Sequence, residues 1–304
     1  MNSSNRRTFL QTTLGLAGAA GLRAAAHGEA RRSFVVFGPS TYILSEKGEI
    51  EWEWPGNTRD GWMLPNGNFL LTVSRVKDQH GGKVQEVTRS GDVVFSFDGS
   101  QDEVNTSQPL KNGRIMLTEA GANPRILEVD RSGKVQFELA LDCQTENTHL
   151  QSRMTRKLAN GNYLVPLMGE KEVREYTPEG KVVWRASTPH WPFTAIRLPD
   201  GNSLVGCTLG NQVIEFDKAG KAVWSLSNDD LDGDPLNDCC GVQRLPNGHT
   251  AVTSYHAEPG AVKLTEVTRD KKVVWSHSSD RKGGIHHFQM LTMNGKGIDG
   301  TLLR

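Results

Sequence analysis

The side chains with the most chemical reach in this 304-residue chain are a handful of arginines, histidines and acids that lie far apart in sequence. Arg59 and Arg153 can each offer paired N–H donors to a carboxylate or sulfate, and Asn105 adds an amide between them in chain order. His149, His190 and His286 are candidates for a nucleophile or general base, because an imidazole changes charge near neutral pH. Trp191, Asp238 and His287 are candidate ligand contacts, with Asp60, Glu146 and Asn147 close by and His80 and His256 on outer loops. For any single histidine the plain alternative is a polar rim residue. Asn228-Asp229-Asp230-Leu231-Asp232-Gly233 has the opening of a calcium loop, with Asn228, Asp230 and Asp232 as alternating oxygen ligands, but its twelfth place is Cys239 and not a bidentate Glu. A solvated acidic loop is the simpler reading. His286-His287 could join His149 or His190 around a transition metal, although adjacent residues on a strand face opposite ways.

Residues so dispersed act together only if the fold gathers them, and a repeat does so. One phrase, ending in Lys-Val-Val-Trp or a relative, occurs six times: Ile43–Trp52, Glu86–Phe95, Glu128–Phe137, Glu175–Trp184, Glu215–Trp224 and Glu266–Trp275. Each reads as two β-branched strands around a polar turn in which Gly can take positive φ. A second phrase alternates with it, at Leu64-Pro65-Asn66-Gly67, Leu110-Lys111-Asn112-Gly113, Leu158-Ala159-Asn160-Gly161, Leu198-Pro199-Asp200-Gly201, Leu245-Pro246-Asn247-Gly248 and Leu291-Thr292-Met293-Asn294-Gly295. Asn-Gly between apolar strands is a strong hairpin signal. One hairpin of each kind makes a four-stranded antiparallel sheet, the size of a propeller blade.

The order of the phrases predicts closure. The chain opens on the first kind of hairpin (Phe34 to Trp54) and ends on the second (His286 to Leu303), so N- and C-terminal strands share one blade of an all-β, six-bladed propeller with no orphan edge at the seam. An open solenoid would need polar caps that neither end supplies. The column Trp52, Phe95, Phe137, Trp184, Trp224 and Trp275 is expected to pack blade against blade. Both short turns fall at one end of each blade, leaving the long connections at the other. In register with the six leucines, the residues five places earlier are Arg59, Asn105, Arg153, Phe193, Cys240 and His286, which should ring the channel mouth. Three places earlier stand Gly61, Ser107, Thr155, Ala195, Val242 and Phe288, mostly small, as a crowded axis requires.

Balanced charge, with 35 Lys plus Arg against 35 Asp plus Glu, leaves no basic field for nucleic acid or an anionic membrane surface. Asn5-Arg6-Arg7-Thr8-Phe9-Leu10-Gln11, a short apolar stretch from Thr12 to Leu22 and Ala24-Ala25-Ala26 read as a twin-arginine export signal with a cleavage site. The expected division is residues 1–32 as signal and leader and 33–304 as propeller, with a periplasmic or otherwise extracytoplasmic destination and no membrane span in the mature form. Cys143, Cys207, Cys239 and Cys240 form no dense disulfide framework. The adjacent Cys239 and Cys240 could close a strained vicinal ring.

These phrases resemble the pyrroloquinoline-quinone-like β-propeller repeats, and are most similar in style to arylsulfotransferase-type six-bladed propellers, from Phe34 to Arg304. The resemblance implies a nucleophilic His among further His and Arg residues at the mouth. Quinone dehydrogenases carry a docking phrase with one more residue between acid and Gly than Asp217-Lys218-Ala219-Gly220-Lys221-Ala222-Val223-Trp224, and are similar to eight-bladed rings, so a complete quinone site is not implied. The leading expectation is an exported propeller that binds a small polar or anionic ligand, such as a saccharide, at the axial mouth. An arylsulfotransferase-like or other His-dependent enzyme, and a scaffold docking another exported protein, are the alternatives.

Overall fold

The computed structural model describes residues 30–73 and 81–299; the twin-arginine stretch, most of the leader and His80 lie outside the described residues. Six antiparallel sheets form the ring. Counting from the seam, blade two runs Thr58–Met63, Phe69–Val73, Lys83–Val87 and Val93–Asp98, and blade three Glu103–Pro109, Ile115–Ala120, Arg125–Val129 and Val135–Ala140. Blade four has a short inner strand, Arg156–Lys157, then Tyr163–Leu167, Glu172–Tyr176 and Val182–Ser187. Blade five is Trp191–Arg197, Ser203–Thr208, Gln212–Phe216 and Ala222–Leu226, and blade six Cys239–Arg244, Thr250–Ser254, Val262–Val267 and Val273–Ser278.

The ends do share blade one, in a three-plus-one division. The N-terminal segment gives Arg32–Phe37, Thr41–Leu44 and Ile50–Trp54, and the C-terminal segment gives the inner strand His287–Met293. The Asn294-Gly295 turn does not lead into the second strand, because Arg32–Phe37 already pairs along His287–Met293. It leads instead to the two-residue strand Lys296–Gly297 on the opposite edge.

The aromatic column joins each blade to the next. Trp52 stacks on Phe69 with ring centroids 3.7 Å apart, Phe137 on Tyr163 at 5.5 Å, and Trp275 meets Phe34 edge-on at 5.8 Å. At the remaining joints a guanidinium lies over the ring: Arg131 over Phe95, Arg197 over Trp184, and Arg244 and Arg269 over Trp224, an arrangement favoured by the negative face of the ring. The small residues three before each leucine face a neighbouring blade rather than the axis. A side chain on Gly61 would collide with the Phe37 ring, and the Ser107 hydroxyl bonds that of Thr72 at 2.7 Å.

The acid that heads five of the six repeat phrases is a buried clamp. Glu175 accepts from Asn160 and Asn162 of its own blade and from Arg197 of the next; Glu215 repeats this with Asn202, Arg244 and Arg269, and Glu266 with Asn247, His249 and Arg32. Burial pushes the Glu86, Glu128, Glu215 and Glu266 carboxyls up, but these hydrogen bonds and cations outweigh it and hold all four below the ordinary carboxylate value. Groups with folded pKa values below the unfolded value, about 4.3 for Glu, lend stability that is complete above that pH and is lost as the pH falls through the folded values. The melting temperature is therefore expected to be level from about pH 5 to 7 and to fall steeply below about pH 4. A melting temperature that is the same at pH 3 as at pH 7 would contradict the clamps.

Candidate functional site

The end of the ring opposite the hairpin turns carries the mouth. The sequence folds there with a repeated irregularity: pairing along the inner strand skips Arg59, Asn105 and Phe193, and skips Cys240 together with Gly241. Such a bulge turns a side chain away from the regular alternation, so two successive residues can both reach across the axis. Two layers of polar side chains result.

The outer layer brings together Arg59, Asn105, Arg153 and His149 around Glu103, with His286 facing them. Arg59 donates to Asn105 at 3.1 Å and to Glu103 at 2.9 Å, and Arg153 donates to the same two partners at 2.6 and 3.1 Å. Asn105 spends its own amide N–H on the Ser152 carbonyl, 2.9 Å away. His149, exposed on a 3₁₀ turn from Thr148 to Leu150, sets Nδ1 3.4 Å from Glu103, and its carbonyl accepts from Arg153. One carboxylate thus serves two guanidiniums. Burial pushes Glu103 up, but His149, Arg59 and Arg153 more than reverse this and hold it well below the carboxylate range. Burial, followed by the charge of Arg59, pushes Arg153 down to about 10. Arg153 is fully buried, whereas the Arg59 side chain keeps 15% exposure. Arg59 is therefore the guanidinium an entering molecule meets, with Arg153 bracing Glu103 and Asn105 from below.

His286 closes the opposite side. Its ring stacks on Tyr255 with centroids 3.8 Å apart and lies nearly parallel to Phe193 at 5.6 Å. Burial first, and the charge of Arg59 second, push its pKa down to about 3, so the ring is neutral across the ordinary pH range. Nδ1 faces the Thr58 carbonyl at 3.4 Å. A carbonyl only accepts, which places the single ring proton on Nδ1 and leaves Nε2 as an acceptor. Trp191 packs on the same apolar floor as Met154, Phe193 and Cys240.

The inner layer is sealed. Arg156 crosses the axis to Asp60 at 2.9 Å and to Thr106 at 2.7 Å, and its Nη2 lies 3.5 Å from His287 Nε2. Its guanidinium also lies over Trp62, 5.1 Å from the ring centroid. All of these side chains are buried. His287 accordingly belongs to the plug under the mouth and not to its rim.

Several expected residues lie elsewhere. His190 is exposed and packs over the bare backbone of Gly210, outside the cluster. Asp238 is spent on the Leu209 N–H at 2.6 Å and on His256 at 2.8 Å, with burial lifting its carboxyl. In the acidic loop Asn228 clasps both backbone groups of Leu236, Asp230 caps Ser227 and pairs with Lys271 at 2.8 Å, and Asp232 is exposed. The 3₁₀ turn over Asn228–Asp230 thus sends the three groups in different directions, and among the described residues no group of three or more His, Cys, Asp or Glu side chains is gathered to hold a metal ion. Cys239 and Cys240 are buried free thiols, pushed well above their ordinary pKa by burial.

Sequence reasoning missed Glu103 and Tyr255. Glu103 stands seven places before Leu110, the same row that holds Trp191 before Leu198 and Asp238 before Leu245, so the register contained the signal. Tyr255 follows the strand Thr250–Ser254, in a second-to-third-strand loop that neither repeated phrase covers.

Among the described residues no helix is long and apolar enough to cross a membrane. No curated protein matches the chain. A crystal structure of a protein of unknown function from Bacteroides caccae is similar at 23% identity and TM-score 0.75, over 86% of this chain and 98% of that one. A streptogramin B lyase is similar at 12% identity and TM-score 0.57, over 83% and 84% of the two chains. A catalytically inactive virginiamycin B lyase variant from Staphylococcus aureus, with quinupristin, is similar at 13% identity and TM-score 0.59, over 88% and 93%. At these identities the likeness is one of fold, and what it supports is the six-bladed β-propeller. The family model described as Mal s 1 allergenic protein-like matches residues 83–258, from the third strand of blade two into blade six. With more than half of its length so matched, the chain belongs to the Mal s 1 allergenic protein-like family.

Proposed function

We propose that the protein is an exported propeller that binds a small anionic ligand at the axial mouth. The observation that carries this reading is the sharing of Glu103 by Arg59 and Arg153, two cations against one carboxylate. Partly buried positive charge without a full complement of negative charge is costly, and an anion arriving at Arg59 supplies what is missing. The one-to-one pair of Asp60 and Arg156 below has no such surplus. The leader Asn5–Gln11 supports transport out of the cytoplasm.

Titration with benzoate, followed by calorimetry, tests the site. Arg59→Gln is expected to weaken binding by about tenfold or more, since a hydrogen bond to a charged group contributes roughly 1.5–3 kcal/mol, whereas His190→Ala should bind as the parent does. Equal affinity in the parent and Arg59→Gln would overturn the reading.

One observation favours a second reading, a histidine-dependent enzyme: His149 is exposed at the mouth and oriented by Glu103. His286 is the poorer base, because efficient proton transfer needs a pKa near the working pH and this ring sits at about 3. Sulfate transfer from an aryl sulfate that is abolished by His149→Ala would establish the enzyme. Turnover unchanged in that variant would remove His149 as its catalyst.

A further inference from the structure

Two features of the mouth narrow the class of molecule it would take, given the anion reading above. The first is arithmetic. Arg59 and Arg153 face Glu103, while Asp238 is turned to Leu209 and His256. Within the cluster of Arg59, Arg153 and Glu103 the surplus is one positive charge, which matches a single carboxylate better than a phosphate dianion. The second is directional. Arginine N–H groups only donate, and the Asn105 oxygen is already taken by both guanidiniums. His286 adds a neutral acceptor beside these donors. Its Nδ1–H is committed to the Thr58 carbonyl and its faces are covered by Tyr255 and Phe193, so what it offers a ligand is an edge carrying a lone pair on Nε2. Its contact with the Thr58 carbonyl, 3.4 Å away, places it beside the residue that precedes Arg59.

We propose that the ligand is an acidic sugar of the uronate class, whose carboxylate pairs with Arg59 while a ring hydroxyl donates to Nε2 of His286. A purely apolar carboxylate would leave the partly buried imidazole nitrogen without a donor, a loss comparable to a missing hydrogen bond. A neutral sugar would leave the surplus charge unmet. The apolar faces of a pyranose ring suit the half-buried rings of Trp191 and Tyr255, as aromatic side chains combine broad apolar area with a polar edge.

The test compares three probes on the full chain by ligand-observed NMR and calorimetry: glucuronate, glucose and cyclohexanecarboxylate, with galacturonate as the epimeric control for glucuronate. One of the two uronates is expected to bind at least about tenfold more tightly than cyclohexanecarboxylate, with glucose weaker still, the tenfold step corresponding to roughly 1.4 kcal/mol for one hydrogen bond. His286→Phe, which keeps a ring between Tyr255 and Phe193, should erase the uronate preference over cyclohexanecarboxylate. Equal binding of both anion types to the parent would overturn the uronate assignment while leaving the anion site standing. Glucose binding as well as the uronates would overturn the assignment too, and failure of every anion to bind would remove the anion site itself. The comparison of probes on the parent protein decides the matter even where His286→Phe does not fold.

Discussion

Replacing Arg156 with alanine is expected to lower the unfolding free energy by roughly 3–5 kcal/mol, the usual loss when one member of a buried ion pair is removed. The reason is local. Asp60 is fully buried, and Arg156 supplies two of its contacts as well as one to Thr106. Without the guanidinium, Asp60 keeps the Thr106 hydroxyl and the Gly61 N–H but loses the charge that Arg156 sets 2.9 Å away. The paired change Asp60→Leu with Arg156→Met should recover most of the loss, because replacing a buried pair by apolar groups of similar volume is often close to neutral. Urea unfolding measures both. An Arg156→Ala midpoint indistinguishable from the parent's would show that the axial pair contributes nothing to holding the ring closed.

The second large effect is at the mouth and has opposite signs in two assays. Glu103→Gln keeps the size of the side chain and removes its charge, so the surplus at Arg59 and Arg153 grows from one to two. Affinity for benzoate is expected to rise by about tenfold, the effect of a unit charge a few ångströms away in a partly buried site. Stability should fall by roughly 1–3 kcal/mol, since hydrogen bonds from Arg59, Arg153 and His149 lose a charged acceptor. Few residues gain affinity while losing stability. A variant that loses both would make Glu103 part of the ligand contact and not its competitor.

The ring was legible because each blade announces itself twice, once in an Asn-Gly turn and once in the Lys-Val-Val-Trp hairpin, and both signals are local. The seam was legible only in outline. Whether Arg32–Phe37 or a strand after Asn294-Gly295 pairs along His287–Met293 depends on competition between distant segments, which turn chemistry does not decide. The mouth was reachable because register puts Arg59, Asn105, Arg153 and His286 in one row. The layer beneath it was not. Regular alternation sends neighbouring strand residues to opposite faces, and only the bulges at Arg59 and Asn105 let Asp60 and Thr106 also reach toward the axis, where Arg156 meets them. His190 was misplaced for a related reason: its loop lies at the correct end of blade five, but Gly210 offers its ring a bare stretch of backbone outside the mouth.

The surplus cation at Arg59 is the centre of the account, and an anion carrying an anomalous scatterer addresses it directly. Clefts of about 500 Å³ lie at the opposite, hairpin-turn end of the ring, one of them lined by Glu215, Arg244 and Arg269, and they provide an internal comparison. Crystals soaked in p-bromobenzoate should show a bromine peak at the mouth, with the carboxylate within hydrogen-bonding distance of Arg59. A peak confined to the Arg244 and Arg269 cleft, with none beside Arg59, would contradict it.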